Sequence, residues 1–206
     1  MSIIRAIRDR RSTRKYTPQN VSLATISELL DAARWAPSAH NAQPWRFIIL
    51  VETLKKHNLA GAMANAWRAD LIKSGSYSKM QEVPIKASIE RFTNAPVIIV
   101  ACITLVDMCI HTDESAQKSE RDLAVQSLGA AMQNILLAAE NKKLGTCWYC
   151  APIFCKDTIR ESLAIPKEVE PQALITVGYP DEKPKAPARK PPHAFSHLNR
   201  WGEKLQ

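Results

Sequence analysis

The stretch Pro96-Val97-Ile98-Ile99-Val100-Ala101-Cys102 carries no polar side chain. A continuous apolar run of that length reads as a strand buried on both faces. At 206 residues the chain fits one domain and is long enough to bury a core around such a strand. A second strand candidate is Trp45-Arg46-Phe47-Ile48-Ile49-Leu50-Val51, rich in aromatic and β-branched residues. Thr146–Tyr149 reads as a strand or loop, and Ala173–Tyr179 as another strand.

Helical spacing fills much of the remainder. Residues 2–9 read as a short helix, and residues 22–35 as an amphipathic one. Leu23, Ile26, Leu29, Leu30 and Ala33 recur on one face of the latter, with Ser22 as its N-cap. Pro37 prevents its continuation. Residues 53–73 and 78–92 look helical, parted by Lys73-Ser74-Gly75-Ser76. The longest helix is expected at about 120–143, with an apolar stripe of Leu128, Ala131, Met132, Ile135, Leu136 and Ala139. Gly129-Ala130-Ala131 makes part of it thin enough for another element to approach, and Gly145 suits its C-cap. So apolar a helix belongs in a core or a subunit interface. Residues 156–164 read as a short helix. From Pro180 onward the chain is proline-rich and polar, a tail that does not fold alone. There is no internal repeat, linker or second domain.

Charge narrows the function classes. The formal net charge is +8, with 23% charged and 46% hydrophobic residues, ordinary values for a globular protein. The excess sits in two short clusters. Arg5, Arg8, Arg10, Arg11, Arg14 and Lys15 lie at one end; Lys183, Lys185, Arg189 and Lys190 lie near the other. Two such clusters can converge on one phosphate group. A nucleic-acid groove needs a longer stripe with interleaved aromatics, so no nucleic-acid partner is expected. No apolar run approaches the roughly 20 residues of a membrane span, and the N-terminus lacks a signal-peptide core. A cytoplasmic protein is expected, and five cysteines, an odd number, fit reduced thiols there.

Two polar segments carry the chemistry. In Arg10-Arg11-Ser12-Thr13-Arg14 the residues Arg10, Ser12 and Arg14 alternate, so an extended chain projects them from one side. Guanidinium forks and a hydroxyl are suitable phosphate donors; a solvated basic turn is the plainer alternative. In Ala36-Pro37-Ser38-Ala39-His40-Asn41-Ala42-Gln43-Pro44-Trp45, Ser38, Asn41 and Gln43 offer donors and acceptors together. That pattern suits the edge of a planar, phosphorylated cofactor, although connecting loops also use turn formers of this kind. The strand that begins at Trp45 would hold the loop rigidly.

Cys147-Trp148-Tyr149-Cys150 has the spacing of zinc or thioredoxin-type sites. Zinc needs two more ligands. Cys155 is near, but His40, His57, His111, His193 and His197 are scattered. Small buried thiols are the favoured reading, the histidines read as surface or structural groups, and no metal site is expected. Trp67-Arg68-Ala69-Asp70 and Tyr77 read as a helix face packed on its neighbour, with a lid over a pocket as the alternative. No Gly-x-Ser-x-Gly elbow or Gly-x-Gly-x-x-Gly fingerprint occurs, and Ser38 with His40 is too local to make a triad.

The order Arg-Arg-Ser-x-Arg, then Ala-Pro-Ser-Ala-x-Asn-x-Gln-Pro-Trp, closely resembles the FMN-dependent nitroreductase family. Leu144-Gly145-Thr146-Cys147-Trp148, Ile165-Pro166, Val177-Gly178-Tyr179-Pro180 and Arg189-Lys190-Pro191 continue the match, so the resemblance covers nearly the whole chain. It implies an α+β fold: a three-layer sandwich, a mixed and mainly antiparallel sheet flanked by helices, in an intertwined homodimer with two FMN sites at the interface. Residues 1–206 would form one domain whose tail, from about 180, wraps the partner. Arg10, Arg11, Ser12 and Arg14 would supply the phosphate and ribityl clamp. Pro37, Ser38, Ala39 and Asn41 match the loop that reaches the flavin of the other subunit. Gln43 would contact the cofactor or brace that loop. Tyr149, Cys150 and Ala151 match the segment beside the flavin ring, and Arg189 a basic residue that returns to the phosphate. Relatives often carry glycine where Cys150 stands.

The implied activity is FMN-dependent oxidation of NAD(P)H, with nitroaromatic, quinone or related small-molecule acceptors reduced by a ping-pong mechanism and no side chain needed as acid or base. Ala66-Trp67-Arg68-Ala69-Asp70-Leu71 and the Cys147-Trp148 region are also similar to the reductase domain of deazaflavin coenzyme biosynthesis. Dehalogenation, flavin fragmentation and a flavin- or phosphate-binding module without turnover remain alternatives.

Overall fold

The computed structural model describes residues 2–205. In chain order the helices and strands are α1 (Ile3–Asp9), α2 (Leu23–Arg34), β1 (Trp45–Leu50), α3 (Thr53–Lys73), α4 (Glu82–Asn94), β2 (Val97–Thr104), α5 (Glu114–Asn141), β3 (Gly145–Tyr149), α6 (Lys156–Leu163) and β4 (Val169–Gly178). The strands form one sheet in the order β1-β2-β4-β3, each neighbouring pair antiparallel.

The apolar run is the centre of the molecule. Every residue of β2 is buried, and its side chains alternate between two cores. Val97, Ile99, Ala101 and Ile103 face Ile26, Leu29 and Ala33 of α2 and Leu128, Met132 and Ile135 of α5. Ile98, Val100 and Cys102 face Leu59 and Met63 of α3, Phe92 of α4 and Ile159 of α6. The result is the expected three-layer α+β sandwich. The mixed character of the sheet comes from an added strand-like segment: Ser12 pairs in parallel with Thr146, and Tyr16 antiparallel with Pro180.

Three element boundaries differ from the sequence reading. α5 begins at Glu114, where the Asp113 carboxylate accepts the Ala116 amide at 2.7 Å. The first turns of α5 are polar and carry no apolar period, so only the cap marks them. β4 begins at Val169 rather than Ala173, because a register shift opposite Ala101 and Cys102 interrupts the alternation near Pro171. Gly145 is not the α5 cap. Lys143 takes the left-handed position (φ 60°), and Gly145 opens β3. Its lack of a side chain serves packing: a Cβ there would lie 2.7 Å from the Thr13 Cβ. After Gly178 the chain is irregular apart from a short turn at Pro192–Ala194, and the tail exposes Phe195, Leu198 and Trp201.

Candidate flavin-type site and a charged cluster beside it

The arginine segment is built on two anchors. α1 ends at Asp9, and the Arg11 guanidinium turns back to donate to the carbonyls of Arg8 (2.6 Å) and Arg10 (2.8 Å). Arg11 therefore caps a helix C-terminus, while the Arg14 guanidinium makes a longer local contact, donating to the Ser12 carbonyl at 3.4 Å. Beyond it the chain runs extended. The Thr13 amide donates to the Thr146 carbonyl, and the Thr17 amide to the Tyr179 carbonyl, both at 2.9 Å. The Tyr16 hydroxyl donates to the Thr13 carbonyl at 2.6 Å and lies 2.6 Å from the Thr176 hydroxyl. Burial pushes its pKa far up, so it stays a neutral donor. Between the anchors Arg10 and Ser12 are half-buried and Arg14 is exposed. Glu182 ties the tail here, accepting the amides of Arg14 (2.5 Å) and Lys15 (3.1 Å). Arg189, farther along that tail, is exposed.

The proline-bounded loop is strained. His40, Asn41 and Gln43 all have left-handed backbone, with φ of 56°, 53° and 46°. For residues with a Cβ that conformation costs roughly 1 kcal/mol each, less for asparagine. It persists because the loop is fastened on both sides. Ser127 on α5 accepts the Ala39 amide at 3.2 Å and donates to the Leu123 carbonyl at 2.7 Å. Ser38 Oγ accepts the Gln43 amide at 3.1 Å, and Pro44 accepts the Thr104 amide at 2.9 Å. Ser38 and Ala39 are half-buried, whereas Pro37, Asn41 and Gln43 are exposed. The bonds within the loop use its backbone and Ser38, so the two carboxamides are left to other partners. Strain of this kind clusters where a ligand must be met.

A cavity of about 590 Å³ opens between α3, α4 and the segment after β3. Tyr149 and Ala151 line it, with Trp67, Asp70, Arg91 and Phe92 opposite. Tyr149 meets Phe92 edge to face, ring centres 5.0 Å apart. The Tyr149 hydroxyl is buried with no hydrogen-bond partner among the described residues, and burial pushes its pKa well up. The reading of residues 67–77 as helix packing holds for Arg68, whose guanidinium donates to both Glu82 oxygens (2.7 and 2.9 Å), and for Tyr77, which donates to Glu82 at 2.9 Å. Trp67 and Asp70 instead face the cavity. In the Cys-x-x-Cys segment Cys147 is buried as expected, but Cys150 is exposed. β3 ends at Tyr149, so Cys150 no longer alternates into the core.

The sequence model of the nitroreductase family matches residues 7–179. The chain belongs to the nitroreductase family. It is 31% identical over 208 aligned residues to a Methanothermobacter thermautotrophicus protein named as an NADH dehydrogenase/NAD(P)H nitroreductase, covering 98% of this chain and 88% of that one. Among solved structures it is similar to a BluB-like flavoprotein of Clostridium difficile, at 23% identity and TM-score 0.81, covering 97% of this chain and 100% of that one. It is also similar to the NADPH:FMN oxidoreductase of Vibrio harveyi complexed with NAD+, at 21% identity and TM-score 0.73, covering 98% and 78%. No helix among the described residues is long and apolar enough to cross a membrane.

A second cluster lies against the nitroreductase loop, and the sequence reading missed it. Glu120, on the second turn of α5, is buried, with 8% of its side chain exposed. One of its oxygens lies 3.4 Å from the Nε2 atoms of both His40 and His111. The other accepts the Cys109 amide at 3.3 Å. Burial pushes the carboxyl pKa up, but the two imidazoles and that amide outweigh it and hold the group below its usual range. The histidines are not merely scattered surface groups: the fold gathers two of the five. Eighty positions separate His40 from Glu120, and no local spacing announces the meeting.

Proposed function

We propose that this nitroreductase-family protein is an FMN-dependent oxidoreductase that uses NAD(P)H to reduce nitroaromatic, quinone or related acceptors by a ping-pong mechanism. The observation that carries the reading is the strained loop. Three left-handed residues hold the Asn41 and Gln43 carboxamides outside the molecule, on a base fastened to α5 and β2. Amides in that arrangement match the alternating donors and acceptors of a flavin edge. The open cavity lined by Tyr149 and Ala151 is consistent with a planar group there.

In this reading Arg10, Ser12 and Arg14 hold the FMN phosphate and ribityl chain, and Arg189 returns to the phosphate from the tail. Arg11 supports them by fixing the end of α1. Pro37, Ser38, Ala39, Asn41 and Gln43 approach from the partner of a homodimer. The apolar surface left exposed by one chain favours that assembly: Ile3, Ile4 and Ile7 on α1, Trp35 beside the loop, and Phe195 and Trp201 on a tail that would wrap the partner. Tyr149, Cys150 and Ala151 lie along the ring. Cys150 adds a side chain where relatives often have glycine, narrowing the approach to the ring. Trp67 and Phe92 exclude water from the cavity, and Arg91 supplies positive charge there. When bound, FMN supplies the two-electron chemistry, accepting hydride from NAD(P)H and returning it to an acceptor. No side chain need act as acid or base.

The test is a visible absorbance spectrum of the purified protein, then anaerobic addition of NADH or NADPH. A yellow protein that bleaches, with parallel double-reciprocal plots for an acceptor, supports the reading. A protein that ignores FMN refutes it, and one that binds FMN but never oxidises NAD(P)H is a module without turnover. A second reading has its own support. Trp67, Asp70 and Leu71, from the segment similar to the deazaflavin reductase domain, line the cavity. Tight binding of a deazaflavin would favour that substrate.

A further inference from the structure

We propose that His40, Cys109 and Glu120 form a binding site for one divalent transition-metal ion of the zinc type, with the fourth position left to water. Ligand atoms of His40, Cys109 and Glu120 all lie within 4.8 Å of one another. His40 Nε2 lies 3.4 Å from one Glu120 oxygen, and His111, outside the ligand set, contacts the same oxygen at 3.4 Å and helps to orient the carboxylate. The His40–Glu120 separation matches two donor atoms on one tetrahedral ion, which stand about 3.3–3.6 Å apart when metal–ligand bonds are about 2.0–2.3 Å.

The chemistry of the set agrees. Imidazole nitrogen, thiolate and carboxylate are borderline donors, suited to zinc or cobalt rather than calcium or magnesium. A carboxylate and a thiolate together neutralise a dipositive ion. The Cys109 amide, bonded to the second Glu120 oxygen at 3.3 Å, fixes the carboxylate from behind, as outer-shell donors do in metal sites. Glu120 is buried, whereas His40, Cys109 and His111 are exposed, so the site has a closed floor and an open entry.

Three parts of the chain meet here: the strained loop through His40, the β2–α5 connection through Cys109 and His111, and α5 through Glu120. An ion would fasten the loop to α5 at one of its left-handed residues, offsetting the cost of that conformation at His40. The site does not depend on the flavin reading, since all three ligands belong to one chain and none is assigned to FMN.

The experiment uses untagged, chelator-stripped protein of full length, titrated with Co2+. One Co2+ per chain is expected, with the visible bands of a tetrahedral ion and a thiolate-to-cobalt charge-transfer band in the near ultraviolet; zinc should displace it. Cys109→Ser, at an exposed position that leaves both cores untouched, should abolish the charge-transfer band while keeping weaker binding. His40→Asn, at an exposed left-handed position that asparagine tolerates, should weaken binding at least tenfold with the circular dichroism of the parent. Failure to bind Co2+ at hundreds of micromolar overturns the proposal, as does a spectrum unchanged by Cys109→Ser. The flavin spectrum of the same samples reports the other reading separately.

Discussion

Gly145→Ala tests whether the arginine segment is placed by its packing on β3. The new Cβ would lie 2.7 Å from the Cβ and Cγ2 of Thr13 and 2.8 Å from its Oγ1. Carbon atoms rest at about 3.5–4.0 Å, so one side must move by roughly an ångström. Thr13 is only 4% exposed and its amide is bonded to Thr146 at 2.9 Å, so the segment has no free direction in which to yield. Overpacking of this sort costs about 1–3 kcal/mol, and weakening the Thr13–Thr146 bond adds roughly 1 kcal/mol. A chain of this length loses about 2–4 °C per kcal/mol, so a fall of roughly 4–16 °C in Tm is expected at fixed protein concentration. Thr13 stands between Ser12 and Arg14, so FMN affinity should fall as well. Gly61→Ala within α3, where a Cβ meets nothing within 4 Å, is the control and should stabilise by about 0.5–1 kcal/mol. The assays are calorimetry and fluorescence titration with FMN. A Gly145→Ala protein matching its parent in both would show that Thr13 and its neighbours are not held by β3, and the clamp would lose its structural basis.

Three further outcomes follow from the same geometry. Arg14→Ala should weaken FMN binding about tenfold or more with little change in Tm, because an exposed guanidinium adds a charge-assisted bond to ligand rather than to fold; unchanged flavin affinity on titration counts against the clamp. Gln43→Gly removes left-handed strain, so Tm should hold or rise by up to about 1 kcal/mol in stability while FMN affinity drops; a parallel loss of both would make Gln43 a brace instead. Burial pushes the Glu170 carboxyl up, but Arg121 (2.5 and 3.0 Å), Lys156 and Gln172 outweigh it and bring its pKa down to about 2. A folded pKa below the unfolded one gives stability that is present above about pH 4.5 and lost as pH falls toward 2. Glu170→Gln should therefore flatten acid denaturation over that window, by on the order of 2 kcal/mol after solvent screening, as urea titrations at several pH values would report.

What the sequence disclosed follows from the range of the forces involved. The apolar period of β2 and the stripe on α2 are local signals of burial, and both elements stand where the pattern puts them. The polar opening of α5 is equally local but lacks an apolar period, so only the Asp113 cap could have located it. The loop from Pro37 to Trp45 stood out in the sequence because its residue types are unusual together; its left-handed strain did not, since Ser127 and Glu120, which hold it, arrive from α5. The Glu120 cluster was hidden for the same reason. Its histidines have no motif spacing, and only the packing of α5 on the loop brings them to one carboxylate. One helix thus braces the loop twice, through the Ser127 hydroxyl on its backbone and the Glu120 carboxylate on His40. Two fastenings at different points restrain both position and rotation, which a single hydrogen bond cannot do. A loop so restrained has its backbone at Asn41 and Gln43 fixed before any ligand arrives, and the backbone-ordering entropy that binding would otherwise consume is already spent in folding.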